Sequence, residues 1–262
     1  MRTHRMGIAA LLTAALAALI VPASPAAAAQ HQNAYEYAYW NNNGLVTAGQ
    51  NIDQIVLPKT KASATFWTLT FDWGDTGSWA GYIGLQTNGN RSNGTTGDTA
   101  VFALWGAIAY SGDVASNRCA WNAEAQGHTC AIAYTFKPGF SYRYRMWKLN
   151  ADSGGQWWGA WISSSETGVD TWIGNLRVPK EHVVAVVGVN FSEYFGTQVS
   201  CDAVPKSVVE FTQPAADQIQ PGLYARVGAF SGSTRGSCTG GTVVLKDLGW
   251  TNAASVTLGG TR

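Results

Sequence analysis

The chain has 262 residues, only 13% of them charged, and a formal net charge of +1 at neutral pH. Nucleic acids and anionic lipids bind to concentrated positive charge, so this balance argues against both as partners. Tryptophan is abundant, with 12 residues. The core of a β-sandwich consists mainly of smaller apolar residues. Indoles that lie outside the core commonly bind sugar rings, proteins or apolar ligands. The composition therefore favours a recognition function without naming the ligand.

The first residues have the pattern of a secretory signal peptide. Arg2 and Arg5 precede an apolar run over 6–21, and Ala26–Ala29 supplies an A-x-A cleavage signal. We expect a signal peptide over residues 1–29 and one secreted domain over 30–262. No later stretch has the roughly 18 consecutive apolar residues of a membrane-spanning helix, so we expect no membrane span.

The rest of the chain is predicted to be β-strand. Residues 62–73 alternate, and one face carries Trp67, Leu69, Phe71 and Trp73. Residues 141–148 alternate in the same way. Further strands are expected, in chain order, over 35–40, 54–57, 81–86, 100–105, 131–136, 157–162, 171–178, 183–189, 207–211, 223–230 and 242–248. Such closely spaced short strands predict a single all-β domain, an antiparallel β-sandwich of jelly-roll or lectin-like type with little or no helix.

A polar segment between two of these strands is predicted to be an exposed loop. Thr87–Thr99 is rich in Gly, Asn and Thr, which disfavours a strand. It is either a solvated connector or a binding loop at one rim of the sandwich, where recognition residues tend to lie.

The cysteines indicate an oxidising compartment. Four cysteines allow three pairings. We favour Cys119–Cys130 and Cys201–Cys238, because each pair brackets a loop-rich stretch between predicted strands. A zinc site is the alternative, but no C-x-x-C spacing occurs.

A central part of the chain carries motifs of a known family. The matching residues are Gly81–Gln86, Phe102–Trp105, Glu124–Gly127, Tyr134–Phe136 and Tyr142–Arg145. Over roughly residues 71–179 the chain resembles a secreted, mostly bacterial family catalogued as domain of unknown function 3472. It departs from the family pattern at Ala125, where a glycine is expected, and at Phe136, where a tryptophan is expected. The resemblance implies an exported, lectin-like β-sandwich in a carbohydrate context, and it supplies no established catalytic residues.

The leading hypothesis is recognition of a polysaccharide or other glycan. Sugar rings would stack on Trp79, Tyr82 and Trp157, with hydrogen bonds from Gln86, Arg91, Asp98 and Glu124. Trp157 and Trp161 share a strand face with Gly159 between them, which predicts a shallow trough that could accept a ring. An extracellular protein partner would use the same aromatic anchors and is a second alternative.

Catalysis is the other alternative, as a polysaccharide lyase or a glycosidase. The candidate residues are Glu124, His128 and Arg91, although the E-x-D-x-E pattern of sandwich-fold glucanases is absent. No cofactor is expected. A calcium site from Asp72, Asp75 and Asp98 is conceivable, since calcium prefers oxygen-rich loops.

Overall fold

The structure is a computed structural model that describes residues 34–41, 50–73, 79–111, 118–180, 182, 184–217, 224–226, 229–235, 238 and 240–259. The expected signal peptide at 1–29 and Asp75 lie outside these residues. Within them the regular structure consists of antiparallel strands and one 3₁₀ turn, Cys201–Ala203. No helix in the described part is long and apolar enough to cross a membrane. The predicted all-β antiparallel sandwich is confirmed.

The strands form two sheets. Sheet I has eight strands in the order β16-β1-β12-β3-β4-β5-β8-β7. Its strands in chain order are β1 (Ala34–Asn41), β3 (Thr65–Trp73), β4 (Trp79–Asn90), β5 (Thr96–Leu104), β7 (Cys119–Asn122), β8 (Gly127–Ala133), β12 (Val184–Tyr194) and β16 (Ala229–Arg235).

Sheet II has ten strands, eight of them in the order β17-β18-β13-β2-β9-β10-β11-β6, with β14 and β15 attached beside β2. They are β2 (Asn51–Pro58), β6 (Ala109–Ser111), β9 (Tyr142–Asp152), β10 (Gly155–Ser164), β11 (Asp170–Val178), β13 (Ser207–Thr212), β14 (Ala215–Asp217), β15 (Tyr224–Arg226), β17 (Thr242–Asp247) and β18 (Asn252–Leu258).

The alternating sequences place the core between the two sheets. On β3 the predicted apolar face is fully buried, and on β9 Tyr142, Tyr144 and Met146 are buried as well. The intervening β9 residues Arg143 and Arg145 lie on the outer face of sheet II. Period-2 alternation therefore identified the core faces of both strands.

A buried amide pair joins the two sheets across the core. The Asn190 side chain on β12 accepts hydrogen bonds from the Trp40 indole N–H and from Gln54 Nε2, both at 2.7 Å. Asn190 Nδ2 donates to Gln54 Oε1 at 2.8 Å and to the backbone carbonyl of Thr68 at 2.9 Å. Gln54 lies on β2 of the opposite sheet, so these hydrogen bonds fix how the sheets pack on each other.

The predicted loop over Thr87–Thr99 is wrong in most of its length. β4 continues to Asn90 and β5 starts at Thr96, so only residues 91–95 form the turn of a hairpin. Backbone pairing stabilises the polar segment, and Thr99 Oγ1 adds a hydrogen bond to the Gly97 carbonyl at 2.8 Å. Local composition disfavoured a strand, but the extended backbone pairing outweighs that preference.

Both predicted disulfides are present. Cys119–Cys130 joins directly opposite residues of β7 and β8, and Cys201–Cys238 closes the second loop. The first disulfide packs against Gly174 of β11, so it also lies at the contact between the sheets. The described chain contains no free cysteine.

Candidate functional site

A groove with a volume of about 610 Å³ lies on the outer face of sheet I. It opens across strands β1, β12, β3, β4, β5 and β8, with the turn after β7 at one side. The side chains that line it are aromatic or hydrogen-bonding: Tyr35, Tyr37, Phe66, Thr70, Trp79, Tyr82, Gln86, Asn90, Trp105, Asn122, Glu124, Thr129, Phe191, Glu193 and Phe195, with Val101 and Ala131.

Strand register explains how these residues meet. Glu193 on β12 is paired with Phe66 on β3, which is paired in turn with Gln86 on β4. Directly opposite residues project to the same face, so Glu193 and Gln86 flank the Phe66 ring. Gly84 is the next groove-facing residue on β4, and a Cβ there would collide with Phe66 at 2.5 Å. The glycine therefore lets the ring lie against the strand.

The floor of the groove carries a continuous band of seven aromatic rings. Neighbouring centroids lie 4.9 to 6.1 Å apart, mostly in edge-to-face geometry. In order across the sheet the rings are Tyr35, Tyr37, Phe191, Phe66, Tyr82, Trp105 and Trp79. Edge-to-face contacts hold the rings in defined orientations, so the band is a preformed apolar floor that is buried at Phe66 and Tyr82 and exposed at Trp79.

Glu193 is the unusual ionisable group of this groove. Burial among the aromatic side chains, assisted by the nearby charge of Glu124, raises its pKa to about 7. Burial also raises the pKa of Tyr37 to about 12 and that of Tyr82 well above its usual range. At neutral pH both tyrosines are therefore hydrogen-bond donors. The Glu193 carboxyl group is only partly protonated at this pH.

Four of the sequence-predicted ligand residues meet in this groove: Trp79, Tyr82, Gln86 and Glu124. Trp79 is 52% exposed at the rim. Sequence reasoning missed Glu193 because the strand was expected to end at residue 189. The available signal was the alternation of Phe191, Glu193 and Phe195, which places a carboxyl group between two aromatic rings on one strand face.

The other predicted ligand and catalytic residues lie elsewhere. Arg91 and Asp98 belong to the β4–β5 hairpin, where Arg91 donates to the Asp98 carbonyl at 3.0 Å and the Asp98 carboxylate pairs with Lys61. His128 lies on the inner side of β8, with Nδ1 2.9 Å from the Ala107 carbonyl. Only Glu124 of the Glu124, His128 and Arg91 set reaches the groove, so the predicted catalytic constellation is not assembled.

Trp157 does not join the groove either. It lies on the outer face of sheet II, with the Arg177 guanidinium 5.5 Å from its ring centroid. The predicted trough over Gly159 is absent, because the Trp161 ring itself occupies the space above that glycine.

The tryptophans divide between core and surface. Four of them are buried, namely Trp40, Trp67, Trp73 and Trp158. Three are exposed, namely Trp79, Trp121 and Trp250, and the other five are half-buried. Indoles therefore do exceed what the core holds, but they are spread over several surfaces, and the groove takes two of them, Trp79 and Trp105.

The described residues contain no group of three His, Cys, Asp or Glu side chains that could hold a metal ion. Asp72 pairs with Trp79 at the start of β4, whereas Asp98 lies in the hairpin at its far end. These two carboxylates are too far apart along the sheet to share a calcium ion.

No family model and no curated protein matches the sequence. Solved structures match at low similarity. Scytalido-glutamic peptidase with a peptide-based transition state analog has a TM-score of 0.47 and 11% identity over 88% of this chain and 100% of the other. The same peptidase with a transition state analog inhibitor has a TM-score of 0.45 and 10% identity, over 87% of this chain and 98% of the other. SCP-B, a member of the Eqolisin family of peptidases in complex with the tripeptide Ala-Ile-His, has a TM-score of 0.44 and 11% identity, over 88% of this chain and 100% of the other.

Proposed function

We propose that the protein is a secreted carbohydrate-binding protein whose ligand lies in the groove of sheet I. The observation that carries this proposal is the band of seven aromatic rings beside amide and carboxyl side chains in one open groove. Sugars present apolar C–H faces and polar hydroxyl edges, and this site offers both kinds of contact.

The exposed end of the band is the part best suited to stacking. Trp79 and Trp105 contact each other edge to face at 6.1 Å, with Tyr82 beside them. Gln86, Asn90 and Asn122 along the groove provide amide groups that both donate and accept hydrogen bonds. A volume of about 610 Å³ lies within the usual range for a small-ligand site.

Secretion belongs to the same proposal. Two disulfides and the absence of free cysteines in the described chain fit an oxidising compartment. The sequence pattern of residues 1–29 and the resemblance to an exported family agree with it.

Titration of the purified mature protein with glycans, followed by tryptophan fluorescence, tests the binding. Trp79→Ala should weaken binding about 5-fold, since one stacking contact contributes on the order of 1 kcal/mol. Trp250→Ala is the matched control, because Trp250 is also 52% exposed but lies in the turn between β17 and β18. Failure of every glycan to bind, or equal losses in the two variants, would contradict the proposal. Co-purification of a protein on the groove would instead support the alternative of a protein partner.

Hydrolysis of the bound chain is a second candidate function. It is favoured by Glu193, whose raised pKa makes it a proton donor near neutral pH. Glu193 would protonate the leaving oxygen, while Glu124 accepts a proton from the attacking water. A lyase reaction is less well supported, because no described cationic side chain lines the groove to neutralise a uronate.

The hydrolase candidate predicts that Glu193→Gln abolishes product formation but preserves ligand binding. Activity of the unaltered protein should fall as the pH rises through about 7, since Glu193 then loses its proton. New reducing ends from glucans and chitin, and new amino groups from a denatured protein, are the products to measure. Full activity in Glu193→Gln would exclude this role.

A further inference from the structure

The charged side chains that line the groove in the described chain are all acidic. Its described lining contains two carboxyl groups, Glu124 and Glu193, and no Lys, Arg or His. Within the described chain neither carboxyl group forms a salt bridge or a side-chain hydrogen bond. By contrast, salt bridges elsewhere neutralise Asp53, Asp98, Asp152, Glu166, Asp170 and Glu210. The groove is therefore an acidic surface without an internal counter-charge.

The two carboxyl groups line the same groove. Glu193 rises from the floor on β12, and Glu124 projects from the turn between β7 and β8. The charge of Glu124 disfavours ionisation of Glu193, and a cation bound between the two carboxyl groups would be attracted by both. An ammonium group suits this position, because it supplies three N–H donors to two groups that only accept hydrogen bonds when ionised.

We infer that the groove selects glycans that carry free amino groups, with one protonated amine seated between Glu124 and Glu193. This inference rests on the proposed carbohydrate-binding function. The Tyr82 and Trp105 rings beside Glu124 add a favourable surface for the same cation. An N-acetylated sugar lacks the charge, and a uronate has the opposite charge, so both lose the contact that defines the selectivity.

Binding of such a ligand must also displace a proton. Among the described residues, the ionisable groups that face Glu193 are Glu124, Tyr35, Tyr37 and Tyr82, and none of these is cationic. Because the pKa of Glu193 is about 7, its carboxyl group is mostly protonated at pH 6. A bound ammonium favours the carboxylate and releases this proton to the solvent.

Calorimetry with three oligosaccharides of equal length and β-1,4 linkage tests the inference. Their repeating units are glucose, N-acetylglucosamine and glucosamine. At pH 6 the glucosamine oligomer should bind about 10-fold more tightly than the other two. Titration in two buffers of different ionisation enthalpy should show release of more than half a proton for this ligand only.

Glu193→Gln and Glu124→Gln should each remove most of the preference for the amine, so that the glucosamine oligomer no longer binds more tightly than the other two. Glu166→Gln removes the same charge at the Lys137 salt bridge, away from the groove, and should leave the preference for the glucosamine oligomer unchanged. Equal binding of all three oligomers would overturn the inference while leaving glycan binding intact. Binding of none would overturn the proposed function as well. Preferential binding of an oligolysine peptide, dependent on the same glutamates, would show a peptide site and also overturn it.

Discussion

The amide pair between the sheets should be one of the most sensitive points of the fold. In Asn190→Leu, two fully buried groups lose the partners they have now, the Trp40 indole N–H and Gln54 Oε1. Gln54 Nε2 keeps its hydrogen bond of 2.7 Å to the Thr212 carbonyl. Each orphaned buried polar group costs about 1–3 kcal/mol, so we expect a loss of about 4 kcal/mol in the free energy of unfolding.

Urea unfolding followed by far-ultraviolet circular dichroism measures this loss, and thermal unfolding should show a Tm lower by roughly 8–16 °C for a domain of this size. Gln54→Leu alone should cost less, because Asn190 then keeps its bonds to Trp40 and to the Thr68 carbonyl. The double variant should lose less than the sum of the two single losses, since the pair is removed together.

Asn252→Leu is the control for the change of residue type, because Asn252 is exposed on β18. It should alter stability by no more than about 0.5 kcal/mol. A loss below about 1 kcal/mol in Asn190→Leu, or additive losses in the double variant, would refute the role assigned to the amide pair.

Three further outcomes follow from particular contacts. Replacing Cys119 and Cys130 by serine opens a disulfide with a sequence separation of 11, which should lower the free energy of unfolding by about 3 kcal/mol in thermal unfolding. Gly174→Ala places a Cβ against that disulfide and should cost about 1–3 kcal/mol with the disulfide intact but less once it is removed. The pKa of Glu193, about 7 in the folded protein against an ordinary 4.5, means that the folded state holds its proton longer. The proton on Glu193 stabilises the folded state fully below about pH 4.5, and this stabilisation is lost as the pH rises through about 7. Compared with the unaltered protein, the free energy of unfolding of Glu193→Gln should therefore be about 2 kcal/mol higher at pH 8 than at pH 5. Equal effects of this substitution on urea unfolding at the two pH values would contradict that assignment.

Part of the site could be read from the sequence. Tyr82 and Gln86 are four residues apart within the strand motif Gly81–Gln86, so period-2 geometry places both on one face. The nearby Glu124 was singled out as the acid to test. Glu193 was missed because its strand was expected to be shorter, and because nothing local relates it to Tyr82, Gln86 or Glu124, which lie far earlier in the chain.

Other strands were beyond local reasoning. The predicted strands omitted β6, β7, β14 and β18, and the β4–β5 hairpin was read as a loop. β6, β7 and β14 have only three or four residues each, too few for apolar alternation to show, whereas β18 does alternate, with Ala254, Val256 and Leu258 buried. Pairing with a neighbouring strand stabilises them, and that pairing depends on contacts made far along the chain.

Strand alternation is a local property, so the sequence was enough to identify an all-β sandwich, and it favoured one of three possible cysteine pairings, the one that the structure shows. It also showed that tryptophan exceeds the demand of a core. Only the tertiary structure decided which indoles share a surface: Trp79 and Trp105 meet in the groove, whereas Trp157 lies on the opposite sheet. The physical reason is that a strand's period specifies which side chains share a face. The order in which strands join a sheet specifies which faces become one site.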